Sequence, residues 1–192
     1  MNKHEVFLKE INYIKNSEYR NNIKILLDLL PDYFYEIAAS STGKYHPSYT
    51  LGSGGLVRHT KTVVRIAYEL LKNQTIGYKF TDREKDLILV ALLLHDGLKH
   101  GEKENKYTVY DHPILMANFI RNNKDKITLN NEDVEFVSST IETHMGEWNT
   151  DYNGNVVTSL PQNRYQRFAH MCDFLASRKF INVEFDNNEM ID

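Results

Sequence analysis

A chain of 192 residues is long enough for one domain with a buried core and, at most, a small helical extension. Lysine and arginine total 23 against 26 acids, a net charge of −3, so no overall basic field recruits extended duplex nucleic acid. Cys172 is the single cysteine, which excludes a disulfide framework and a zinc–thiolate site.

The opening Met1-Asn2-Lys3-His4-Glu5 lacks the apolar centre of a signal peptide. The longest apolar run, 87–94, is too short to span a bilayer, so the expected setting is the cytoplasm, with no membrane partner. Residues 4–16 and 18–30 read as amphipathic helices, the second stopped by Pro31, and a short third helix is predicted over 32–39. These N-terminal helices (1–39) are expected to pack on a main domain over 40–192, making one structural unit. Segment 40–54 is dense in turn formers and is predicted as loop. From Gly55 a helix places Leu56, His59, Val63, Ile66 and Leu70 on one face. Thr81 or Asp82 caps the next helix, which ends at His95. His112-Pro113 opens another, since proline is tolerated at a first helical position. Asp133 opens a helix whose apolar face ends at His144. Asn153-Gly154 suggests a small hairpin within 146–160, and a last helix over 163–178 carries Asp173. The expected fold is all-α with at most one minor hairpin.

His95-Asp96 is the most informative pair. The run Leu87 to Leu94 is uninterrupted apolar sequence, so its helix is buried and delivers an imidazole and a carboxylate to the interior. A lone histidine on an apolar face is more often a core residue than a ligand, and Asp173 alone suits an ion pair with Arg167 or Arg178. Taken together, His59, His95, Asp96, His112, His144 and Asp173 place four imidazoles and two carboxylates at helix ends on five helices. Helical bundles build metal sites in that way. The all-nitrogen-and-oxygen donor set suits Mn, Fe, Co, Ni or Zn. It also exceeds what one catalytic ion with an open position needs, so two divalent transition-metal ions sharing Asp96 are expected, with occupancy by one ion left open.

The order H…HD…H…H…D resembles the HD-domain metal-dependent phosphohydrolases over roughly Tyr45 to Lys179. Gly54-Gly55-Leu56-Val57-Arg58-His59-Thr60 is similar to the Gly-Gly-Leu-x-x-His-Thr segment of HD-type 3′→5′ exoribonucleases. His46-Pro47-Ser48-Tyr49 is similar to the segment upstream of theirs, at a longer spacing. His144-Met145-Gly146-Glu147-Trp148 departs from the His-His pair and Gly-Tyr-Pro segment of the HD-GYP class, so cyclic-dinucleotide specificity does not follow. The resemblance implies that His59, His95, Asp96 and Asp173 hold one ion and that His112 and His144 hold a second. It implies that Asp96 orients a metal-activated hydroxide while Lys99 or Arg58 steadies phosphoryl oxygens. The paired glycines before His59 suggest a helix N-terminus open to phosphate. Arg178 suits either substrate or Asp173, and Trp148 either a base stack or core closure. His46, Tyr45, Tyr49, Tyr107 and Tyr110 are further candidates around the base. The implied activity is hydrolysis of a phosphate ester of a nucleotide, cyclic nucleotide or short oligonucleotide. The alternatives on this scaffold are a two-iron oxygenase and a non-catalytic nucleotide sensor. The oligomeric state is left open.

Overall fold

The computed structural model describes residues 2–40, 43–44 and 46–191. Its helices are α1 (Leu8–Ile11), α2 (Ser17–Leu29), α3 (Tyr33–Glu36), α4 (Gly55–Lys72), α5 (Gln74–Gly77), α6 (Asp82–Leu94), α7 (His112–Asn122), α8 (Asn131–Glu142) and α9 (Arg164–Ala176). Two strands, β1 (Phe185–Asp186) and β2 (Glu189–Met190), form an antiparallel hairpin with Phe185 opposite Met190. The fold is all-α apart from this ladder.

Helix α6 is the centre, packed against α2, α4, α8 and α9. Its start is set by a capping box: Thr81 Oγ1 accepts from Glu84 N, and the Glu84 carboxylate accepts from Thr81 N. Every residue from Asp86 to Leu94 is buried, so the helix has no solvent face to lose. Each fully buried Leu or Ile contributes about 1.5–3 kcal/mol relative to exposure. The Asp86 carboxylate accepts the backbone N–H groups of Lys15 and Asn16, which ties the N-terminal segment to the central helix. Phe7, Ile11 and Ile14 from that segment join the same hydrophobic cluster as Leu87–Leu94.

Three local expectations are corrected. The helix read over 4–16 is a 3₁₀ turn (Lys3–Phe7) followed by the single turn α1. The chain leaves the helix because Asp86 takes the N–H groups of Lys15 and Asn16, while the Asn16 side chain caps α2 by accepting from Glu18 and Tyr19. Segment 146–160 forms only one isolated bridge, Thr150 with Val156; the Asp151 carboxylate gathers the N–H groups of Asn153 and Asn155 and closes the turn. The true ladder follows residue 184 and turns through Asn187, whose φ of 52° is a conformation that asparagine tolerates. Segment 40–54 is not loop throughout, since Ser48–Thr50 forms a 3₁₀ turn.

Candidate metal centre and its cavities

The centre is assembled where α6 ends. His95 stands at its C-cap, and its Nδ1 lies 2.7 Å from Leu92 O. His112 at the start of α7 and His144 just past α8 repeat this arrangement, with Nδ1 2.7 Å from Val109 O and 2.8 Å from Ile141 O. A carbonyl oxygen only accepts, so in each ring Nδ1 carries the proton and Nε2 presents a lone pair. Local chain geometry therefore sets the tautomer and the aim of three imidazoles at once. His59, one turn into α4, has its Nε2 2.9 Å from Asp173 Oδ1, and its Nδ1 has no hydrogen-bond partner among the described residues.

These Nε2 atoms divide between the two oxygens of Asp96. Asp96 Oδ2 is 3.5 Å from His95 Nε2 and 3.9 Å from His59 Nε2. Asp173 Oδ1 closes that half, 3.6 Å from His95 Nε2. Asp96 Oδ1 is 3.1 Å from His112 Nε2 and 3.6 Å from His144 Nε2, which are 3.3 Å from each other. Side-chain exposure is 1 % for each histidine, 2 % for Asp96 and 19 % for Asp173. Buried lone pairs thus face buried carboxylate oxygens, and among the described residues His95 Nε2 and Asp96 Oδ1 have no hydrogen-bond partner. Orphaned acceptors this deep are costly unless a cation lies among them. Separations of this size suit atoms that share one cation at bonds of about 2.0–2.3 Å. His59, His95 and Asp96 form one set able to hold a metal, and Asp96, His112 and His144 form another.

The electrostatics agree. Burial would push the Asp96 carboxyl up, but the Lys99 ammonium, 2.5 Å from Oδ2, and the surrounding imidazoles hold it well below the usual carboxylate range. Asp173 is likewise held low by His59 and His95 against its own burial. Burial lowers His59 and His112 below the ordinary imidazole value, which favours the neutral ligand form. At His95 burial lowers and the two carboxylates raise; the raising wins, so Nε2 takes up a proton in the place that a bound cation would occupy instead.

A cavity of about 240 Å³ opens onto these residues and is lined further by His46, Lys99, Met145, Trp148, Phe174 and Arg178. His46 lies 6.0 Å ring to ring from His59, and burial pushes its imidazole down to about 4, so it is neutral. Trp148 is 45 % exposed, which corrects the core-closing alternative. Its ring stacks on Phe174 at 5.7 Å and 12°, and the Arg178 guanidinium lies 4.4 Å from the Phe174 ring centre and 5.6 Å from that of Trp148. Arg178 also donates to Ser177 Oγ, which holds it on the aromatic pair rather than on Asp173.

Not every expected site residue arrives. Arg58 donates to Tyr49 O, Leu51 O, Ser53 O and Asn188 Oδ1, so it ties the 48–53 loop and the C-terminal hairpin to α4 and does not line the cavity. Tyr49 is buried, donates to Ala176 O and stacks on Phe185, a structural role. The paired glycines are not an open phosphate cradle. Gly54 N and Leu56 N donate to Glu36 O and Ile37 O, and a Cβ on Gly55 would sit 2.1 Å from Thr50 O. Tyr107 and Tyr110 line a different cavity, about 280 Å³, which they share with Tyr152, His112 and Met145. Tyr45 lies outside the described residues.

Phe174, Met145 and His170 were not foreseen. His170 Nδ1 meets His144 O at 2.7 Å, and its ring fills the space a side chain on Gly146 would need, 2.2 Å from such a Cβ. Gly146 has φ 57°, so the turn between His144 and Trp148 requires glycine on both counts. Gly146 was visible in the sequence beside His144, but its reason lies on α9.

No helix is long and apolar enough to cross a membrane among the described residues. A family model described as the HD domain matches residues 56–177. Neither the curated proteins nor the solved structures contain a match to this chain.

Proposed function

Starting from a chain that belongs to the HD-domain family, we propose that it is a metal-dependent phosphohydrolase that cleaves a phosphate ester of a nucleotide or short oligonucleotide. The observation that carries this reading is the buried set of inward Nε2 lone pairs around Asp96, with orphaned acceptors at His95 and Asp96. In this reading His59, His95, Asp96 and Asp173 hold one divalent transition-metal ion (Mn, Fe, Co, Ni or Zn), and Asp96, His112 and His144 hold a second. Such cations supply Lewis acidity toward phosphoryl oxygens and toward water.

The remaining steps fall to the chain's own groups. Asp96 spans both halves through separate oxygens, so one side chain keeps them in register. Lys99 holds that carboxylate in place and carries positive charge at the cavity edge, where it meets a developing phosphoryl charge. Neutral His46 offers a hydrogen bond beside His59. Trp148, Phe174 and Arg178 form a platform for a nucleobase at the cavity wall.

The test uses the purified protein with Mn²⁺, Co²⁺ or Ni²⁺, bis(p-nitrophenyl) phosphate and a panel of nucleotides. Metal-dependent release of product that stops in chelator is expected. Asp96→Ala is expected to lower kcat by at least about a thousand-fold and to bind less metal in an elemental assay. Full activity of that variant sinks the reading.

A further inference from the structure

Among the described residues, a second cavity also meets the candidate metal centre. It and the first lie on either side of Met145, which lines both. His144 lines the first and His112 the second, and the Nε2 atoms of this pair are only 3.3 Å apart. The Oδ1 half of the centre therefore reaches both spaces.

The two walls differ in chemistry. The first contains the cations Lys99 and Arg178 with an aromatic pair. The second is lined by Tyr107, Tyr110 and Tyr152 with Thr108 and Val109, and by no lysine, arginine or acid among the described residues. Tyr110 and Tyr152 meet edge to face at 4.7 Å and 80°, while Tyr152 is 89 % exposed and Tyr107 56 %. Aromatic side chains held open to solvent beside a reactive centre suit a flat π-system, and base stacking is tolerant of sequence. The second wall is less suited to phosphates than the first, because no cation lines it and the neighbouring Lys106 ammonium lies over the Tyr107 ring, 5.3 Å from its centre. A nucleoside monophosphate would use one cavity and leave the tyrosine wall without a function.

We infer that the substrate is a phosphodiester joining two nucleosides: one base on the Trp148–Phe174–Arg178 platform, the phosphate at the centre, and the second base among the three tyrosines. This rests on the phosphohydrolase reading and narrows it. In the reaction a water oxygen bonds to phosphorus, and one P–O ester bond breaks with its electron pair leaving on the ribose oxygen. That oxygen takes up a proton; the products are a nucleotide and a free ribose hydroxyl, and nothing is oxidised or reduced.

Trp148 is the only tryptophan, so its fluorescence reports the first cavity directly. The probes are adenylyl-adenosine, cyclic di-AMP and AMP, titrated into the full-length protein in excess chelator, where binding is read without turnover. At least one dinucleotide is expected to bind roughly ten-fold or more tightly than AMP, and its preference over the other separates a linear from a cyclic substrate. Tyr152→Ala and Tyr110→Ala are expected to weaken that dinucleotide by roughly five- to a hundred-fold, the loss of one base stack, while the AMP affinity stays as it was. Equal binding of all three probes, an absence of quenching, or an equal effect of both variants on AMP and dinucleotide overturns the inference. Metal-dependent hydrolysis of bis(p-nitrophenyl) phosphate, which carries no base, is measured alongside. Its absence defeats the phosphohydrolase reading, whereas its presence with insensitive tyrosines defeats only the two-nucleoside substrate.

Discussion

Asp96 and Asp133 are both buried acids on the central bundle, 2 % and 3 % exposed, and their surroundings are opposite. Asp133 is ringed by donors: Arg83 Nε at 2.8 Å, Tyr19 Oη at 2.9 Å and Asn130 Nδ2 at 3.0 Å. Its charge is satisfied by the chain itself. Asp96 faces four imidazoles, three of which have committed their proton to a backbone carbonyl, and a single ammonium from Lys99. The same residue type at the same depth is a structural anchor in one place and half of a cation trap in the other. What separates them is whether the neighbours donate or accept.

The comparison breaks most sharply under mutation. Asp133→Ala is expected to cost about 3–5 kcal/mol in chemical denaturation, because Arg83, Tyr19 and Asn130 lose a common acceptor and a buried ionic network is cut. Asp96→Ala in metal-free protein is expected to cost less, because Lys99 alone loses a hydrogen-bond partner and the orphaned Oδ1 leaves with the side chain. Equal losses at the two positions would erase the distinction drawn between them.

Metal sharpens the same contrast. A ligand that binds only the native state at a hundred times its Kd stabilises by about 2.7 kcal/mol. Chelation of the Mn²⁺-loaded wild type is therefore expected to lower Tm by several degrees, and chelation of Asp96→Ala to leave Tm unchanged. Asp133→Ala should keep the full chelator response from its lower baseline. A wild-type Tm indifferent to both metal and chelator contradicts the cation trap.

The smallest effect concerns pH. Burial, with the adjacent Asp133 carboxylate, pushes the Tyr19 hydroxyl from 10.0 up to about 12. The folded state thus holds this proton longer than the unfolded chain does. The stability it contributes is complete below pH 10 and declines as pH rises from 10 toward 12. Tyr19→Phe should cost about 1.5 kcal/mol at neutral pH, the value of a hydrogen bond to a charged group. Denaturation curves collected at rising alkaline pH should show the gap between wild type and variant closing; a constant gap would mean that Tyr19 does not sense Asp133.

Much of the helical framework was legible in the sequence because its signals are local. Thr81 and Glu84 lie three residues apart and cap α6; Asn163 caps α9 by accepting from Gln166 N. The apolar run to Leu94 marks a helix buried at every position from Asp86 on, and His95, His112 and His144 each take their bearing from a carbonyl three residues back. The six ligand candidates could be named because they stand at the ends of apolar helical faces, and the structure brings all six within 4 Å of at least one other.

Pairings across the chain were decided only by tertiary structure. Arg58 looked like a phosphate ligand beside His59, yet its guanidinium is taken by Asn188, 130 residues away, and by three loop carbonyls. Lys61 was unremarked among helix residues; it is fully buried and meets Glu189 at 2.6 Å, holding the C-terminal hairpin on α4. Gly54 and Gly55 read as an open phosphate loop but are packed against Asn188 and Thr50. The tyrosine wall draws Tyr107 and Tyr110 from before α7 and Tyr152 from after α8, a convergence that no spacing encodes. A hydrogen bond within one helical turn is written in neighbouring residues, because the chain geometry fixes who can meet. A long guanidinium or an aromatic ring near a surface has many possible partners, and only the packed arrangement of helices selects among them.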